Sequence, residues 1–206
     1  MNEKQLLNLT RFFVIIKKRE TMLYQEDKFI NAVLFFGKNT DPELFGRKKL
    51  WKLLFLMDLY HFEEYCRPIL GDDYKLRKYG PVPESSYMLF MDTVEEGVKT
   101  NLTGAINSQP TPVGDFTLDK IIPLKDPDKD VFSDSELEVM EKVARENYSK
   151  RGGEIEKEIK KDPIIRDTKD YGIIDFKQFI KDKNKKEYCE YWEKEDEILE
   201  KALVQK

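Results

Sequence analysis

One stretch constrains the fold more than any other: LWKLLFLMDLYHFEEYC, residues 50–66. Leu50, Trp51, Leu53, Leu54, Phe55, Leu56, Met57, Leu59, Tyr60 and Phe62 put apolar side chains on nearly every face of a helix. A helix that is apolar all round has to be surrounded by protein. The chain is therefore expected to be mainly α, built around a central helix over 50–66 that RPILGDD ends. Phe29, Ile30, Val33, Leu34 and Phe36 predict a short amphipathic helix before it, closed by Gly37, with Asp41 and Pro42 as N-cap and first-turn pair.

The middle of the chain changes period. YKLRKY alternates every second residue, and DFTLDKIIPLK places β-branched residues between Gly and Pro, so a small β-hairpin or sheet is expected within 72–125. Ser85–Glu96 reads as a helix, and TNLTGAINSQPTPVGD (100–115) as a loop. FSDSEL at 132–137 has the capping-box spacing, Ser133 to Glu136, ahead of a helix. Gly152 and Gly153 read as its stop, with another helix from Glu154. At the C-terminus Tyr188, Tyr191, Trp192, Glu195, Ile198, Leu199 and Leu203 form one helical stripe, suited to docking on its own domain or to a homo-oligomer surface. The expected organisation is a helical extension over 1–27, a main domain over 28–183 and an amphipathic helix over 184–206.

Charge enters through function. Of the 206 residues 37% are charged, yet the net charge is only −4 and both signs are mixed throughout, so bulk electrostatics give no footprint for nonspecific nucleic-acid binding. The basic stretches GRKK (46–49) and KLRK (75–78) come with no recognition-helix signature. Apolar runs such as Leu53–Met57 fall far short of the ~20 residues of a membrane span. Cys66 and Cys189, far apart in sequence, suggest no disulfide framework, which makes a reduced cytoplasmic setting the expectation.

Catalytic equipment is thin. The single histidine, His61, rules out a multi-histidine metal site built from this chain alone. Asp58, His61 and Glu64 follow at i, i+3 and i+6 and could touch one cation, but no other element offers further ligands, so a metal-dependent enzyme is the weaker alternative. Cys66 sits on the far side of the same helix from His61, a poor nucleophile–base pair. No phosphate-loop or dinucleotide-binding glycine pattern occurs. No cofactor, no metal and no catalytic residue is expected.

KYGPVPESSY remains. Pro81 and Pro83 force Gly80 and Val82 away from the α region, so the segment is stiff, extended and poor in backbone donors. That suits a recognition surface, because stiff segments lose little entropy on binding, and it equally suits a strand exit feeding a helix.

The whole block KLWKLLFLMDLYHFEEYCRPILGDDYKLRKYGPVPESSY (49–87) resembles the signature of the Panacea domain, the antitoxin fold of SocA-like and phage-associated proteins. FSDSELEVMEKVARENYSKRGGEIEKEI resembles the family's second block, and the likeness runs from about Lys28 to Ile180. Where relatives carry a tryptophan and an acidic or histidine residue, this chain has PIIRD. The resemblance implies an antitoxin that neutralises a co-encoded toxin by direct binding and is not an enzyme. A role as a proteolytic adaptor, or as a phage-associated regulator binding a partner or operator DNA, is the alternative. Lys78, Tyr79, Gly80, Pro81, Val82 and Tyr87 are the expected partner-binding residues, with Asp58, His61 and Arg67 supporting that corner.

Overall fold

A computed structural model describes residues 24–113, 116–191 and 194, and places the core on helices α1 (Glu26–Asn39) and α2 (Arg47–Tyr65). The apolar run is enclosed as its composition demands: Leu50, Leu53, Leu54 and Met57 have no exposed surface. Even Lys49, Lys52 and Asp58 on the same helix are buried, so every face of α2 is packed. Cys66 ends it in the left-handed region (φ +60°), its N–H donating to the Phe62 carbonyl.

After α2 the chain forms an antiparallel hairpin of β1 (Tyr74–Arg77) and β2 (Gly80–Pro83), then α3 (Glu84–Val94). β2 rests on α2. The outer edge of β1 is covered by 171–174, where Leu76 N–H donates to the Gly172 carbonyl at 3.0 Å and Ile174 N–H to the Tyr74 carbonyl at 2.8 Å. A second antiparallel hairpin, β3 (Ile106–Val113) and β4 (Phe116–Pro123), is fixed to the approach to α2 by the Ile121 N–H on the Phe45 carbonyl. Helices α4 (Asp134–Glu146), α5 (Gly152–Ile159) and α6 (Pro163–Asp167), a 3₁₀ turn (Phe176–Phe179) and α7 (183–191) complete the described chain. The fold is mainly α with a small β component. Among the described residues no helix is long and apolar enough to cross a membrane.

The capping box of α4 forms as its spacing requires: Ser133 Oγ accepts from the Glu136 N–H and Glu136 Oε2 accepts from the Ser133 N–H. Several expectations need correction. α1 continues through Gly37, which is glycine because a Cβ there would collide with the Pro123 ring. Asp41 and Pro42 start a turn rather than α2; Asp41 Oδ1 accepts from the Glu43 N–H, and the N-cap of α2 is Gly46. Residues 106–113 are a strand, not a loop. Pro110 and Pro112, two apart, leave their missing N–H groups on one edge, which a two-stranded hairpin tolerates.

Gly152 and Gly153 begin α5 instead of stopping α4. A Cβ at Gly152 would meet the backbone of Lys48 and Lys49, so glycine permits the close approach of α5 to α2. Finally, Cys66 and Cys189 are joined in a disulfide with their Cα atoms 4.8 Å apart. Sequence separation misled here, because the chain beyond the 3₁₀ turn returns across the C-terminal end of α2. There Cys189 packs with Phe62, Cys66 and Ile180. The N-terminal extension up to residue 23, and the part of the C-terminal stripe from Glu195 onward together with Trp192, lie outside the described residues.

Candidate functional site

The β1–β2 hairpin turns at Lys78 and Tyr79, and Gly80 closes it at φ +89°. Only glycine takes that conformation without strain, and it also leaves room for the Lys52 side chain, whose Cε would stand 3.2 Å from a Cβ at position 80. Lys52 Nζ donates to the Pro81 carbonyl at 2.7 Å. Pro81 has no N–H of its own, and its carbonyl is occupied by a lysine from beneath, so β2 is pinned to α2 by a side chain. Burial outweighs the neighbouring Glu156 carboxylate and lowers the Lys52 ammonium to about 7.

Beside this hairpin lies a groove of about 1080 Å³, walled by the first turns of α2, the hairpin tip, the β3–β4 hairpin and the start of α5. Eight of its lining side chains are basic and four are acidic. The two basic stretches seen separately in the sequence meet here: Arg47, Lys48 and Lys49 from one, Arg77 and Lys78 from the other. Between them runs an aromatic ladder. The Arg77 guanidinium lies 4.2 Å over the Tyr87 ring, Tyr87 and Phe90 flank Trp51 at 5.9 and 5.3 Å, and Arg47 closes the series 5.7 Å over Phe90. Each arginine is held outward by a carboxylate, Arg47 by Glu95 at 2.5 Å and Arg77 by Glu84 at 3.1 Å. The exposed Tyr79 ring carries Lys48 4.6 Å above it.

Among the described residues the buried side-chain atoms without a hydrogen-bond partner are Arg47 Nε and Arg77 Nε, one at each end of this ladder. A donor shielded from water and unpaired costs about 1–3 kcal/mol, set here against the ion pairs that each guanidinium makes through Nη2.

The expected partner-binding residues divide by position. Lys78 and Tyr79 are exposed at the tip, and Tyr87 is half-buried in the groove wall. Gly80, Pro81 and Val82 are buried, and of these Val82 reaches the groove. The supporting residues have other duties. Asp58 is fully buried; its Oδ1 accepts from the Ile69 and Leu70 N–H groups and its Oδ2 lies 2.8 Å from the Tyr74 hydroxyl. Burial pushes its carboxyl up to about 7 against the pull of these bonds. His61 Nδ1 donates to the Arg67 carbonyl at 2.5 Å, and its Nε2 therefore accepts from Ser135 Oγ at 3.3 Å. Burial also lowers the imidazole. Arg67 itself is exposed, at the far end of α2 from the groove.

Glu64 is exposed while Asp58 is spent on amides, so the i, i+3, i+6 trio does not converge. Among the described residues no three His, Cys, Asp or Glu side chains stand close enough to hold a metal ion. The GDDY segment proves structural as well: Asp72 reaches across to cap α3, its two carboxylate oxygens accepting from the Ser85 and Ser86 N–H groups. Missed in the sequence were Arg47, Trp51 and Lys52. Their signal was a basic or amphipathic residue on a helix otherwise apolar, which marks a face that borders something other than core.

No curated protein and no solved structure matches the chain. The family model described as antitoxin SocA-like, Panacea domain, matches residues 50–163, from α2 with its hairpin through α5. That span holds most of the groove and covers more than half of the 206 residues, so the chain belongs to the Panacea-domain family of SocA-like antitoxins.

Proposed function

We propose that this protein neutralises a toxin by binding it directly, with the hairpin tip and the adjoining groove as the contact face. Membership of a family of SocA-like antitoxins supports this reading. The observation that carries the choice of face is the convergence of Arg47, Arg77, Tyr79 and Tyr87 along one groove, backed by the buried rings of Trp51 and Phe90. Tyrosine, tryptophan and arginine dominate binding hot spots because they offer large contact area at low entropic cost. The rigid β2 segment holds Tyr79 and Lys78 in place beside it, so little ordering remains for the moment of contact.

The test is co-expression with the product of the neighbouring open reading frame. Wild type should restore growth, and Lys78→Glu with Tyr79→Ala should lose neutralisation while melting like wild type. Both positions are exposed, so this pair separates contact from folding. Substituting Pro81 would not, since its ring is buried in β2 and a change there disturbs the hairpin itself. Full rescue by the double variant would remove this face from the function.

A further inference from the structure

We propose that the groove receives an acidic segment of the partner protein, a stretch in which carboxylates alternate with aromatic or aliphatic side chains. This rests on the reading of the protein as a direct binder and names the chemistry of what it binds. Three observations carry it. Basic side chains outnumber acidic ones two to one along the lining. The four acids are already engaged: Glu156 by Lys48 and Lys160, Asp119 by Arg47, Glu43 by Lys120, and Glu154 by the Arg151 N–H. The donors, by contrast, are not all spent. Among the described residues the exposed lining cations Lys78 and Lys157 have no carboxylate partner.

The apolar part of the lining decides between an acidic peptide and a polyanion. Trp51, Tyr87 and Leu118 lie between the cations, so an occupant that meets them all must carry apolar groups between its charges. A peptide can place its acids on the cations and its rings against Tyr79 and Tyr87.

The experiment titrates the full chain with three labelled probes and reads fluorescence anisotropy. They are a peptide of alternating Glu and Tyr, its counterpart with Lys for Glu, and a single-stranded dT oligonucleotide. The acidic peptide should bind, and the other two should bind about tenfold more weakly or worse. A tenfold rise in salt should weaken it about fivefold or more. Lys78→Glu should produce a loss of similar size, as should Arg77→Lys, which keeps the charge but removes the Nε–H and the planar fork. Glu84 retains Lys75 at 3.2 Å in that variant, and unchanged melting would show the fold intact. Preference for the oligonucleotide or the basic peptide, indifference to both substitutions, or no binding of the acidic peptide would overturn the inference. A growth assay with the neighbouring toxin keeps the two readings apart. If wild type fails there, the antitoxin reading falls whatever the peptides do; if Arg77→Lys rescues fully, the groove inference falls alone.

Discussion

The Tyr74 hydroxyl has one proton and two acceptors within reach, the Leu54 carbonyl at 2.9 Å and Asp58 Oδ2 at 2.8 Å. Only one can accept it. If Asp58 carries a proton of its own, the carboxyl donates to Tyr74, Tyr74 donates to Leu54, and Oδ1 remains free for the two amides. A carboxyl raised to about 7 by burial fits that chain of bonds. The folded state then keeps a proton that the unfolded chain releases near 3.8. Stability from this group is fully present below the unfolded value and is lost as pH rises through 7. Asp58→Asn, with Oδ1 accepting and Nδ2 donating, mimics the protonated acid, so its pH–stability curve should lose the inflection that wild type shows near neutrality. Asp58→Ala should instead destabilise by about 2–4 kcal/mol at any pH, since two buried amides lose their acceptor and the side chain leaves a cavity. Urea unfolding of the three proteins across pH checks both outcomes.

At the scale of elements, the hairpin β1–β2 depends on Gly80 for its turn and on Lys52 for its seat. Gly80→Ala places a Cβ at positive φ and against the lysine stem, and should destabilise by about 1–3 kcal/mol, read as a lowered melting temperature. Elements set by local chemistry were legible in the sequence: the all-round apolar run of α2, the Ser133–Glu136 box, the alternation of YKLR. Those set by close packing were not. Gly37 and Gly152 look like helix ends because glycine usually is one, whereas here each admits a neighbouring element. β3 was hidden by its two prolines. The site was half legible: GRKK and KLRK were each visible as basic, but only the fold brings them to opposite ends of one aromatic ladder.

Across the whole molecule, charge is divided by face even though the net value is small. A second cavity, of about 260 Å³, lies between α2, α4, α5 and α6, and its rim carries Glu63, Glu146, Glu158 and Asp162 against Lys150 alone. On the proposal of an acidic partner, attraction at the groove and repulsion at this rim would orient it before contact. The Cys66–Cys189 bond is the other whole-molecule feature. It cross-links positions 123 apart in sequence, and a constraint of that span on the unfolded chain is worth about 2–4 kcal/mol. Melting should fall when a reductant is added to wild type, and Cys189→Ser should melt like reduced wild type with or without it. Equal melting of oxidised and reduced wild type would show that the bond contributes nothing.

The same bond turns everything from residue 66 to residue 189 into a closed covalent ring with two tails. A protease that cuts once inside the ring releases no fragment, and both halves stay attached. A motor that draws the protein in by either tail arrives at the ring and must then pull two strands of chain through its pore at once. Degradation of the oxidised form by a threading protease would stall at that point, and reduction would let it proceed.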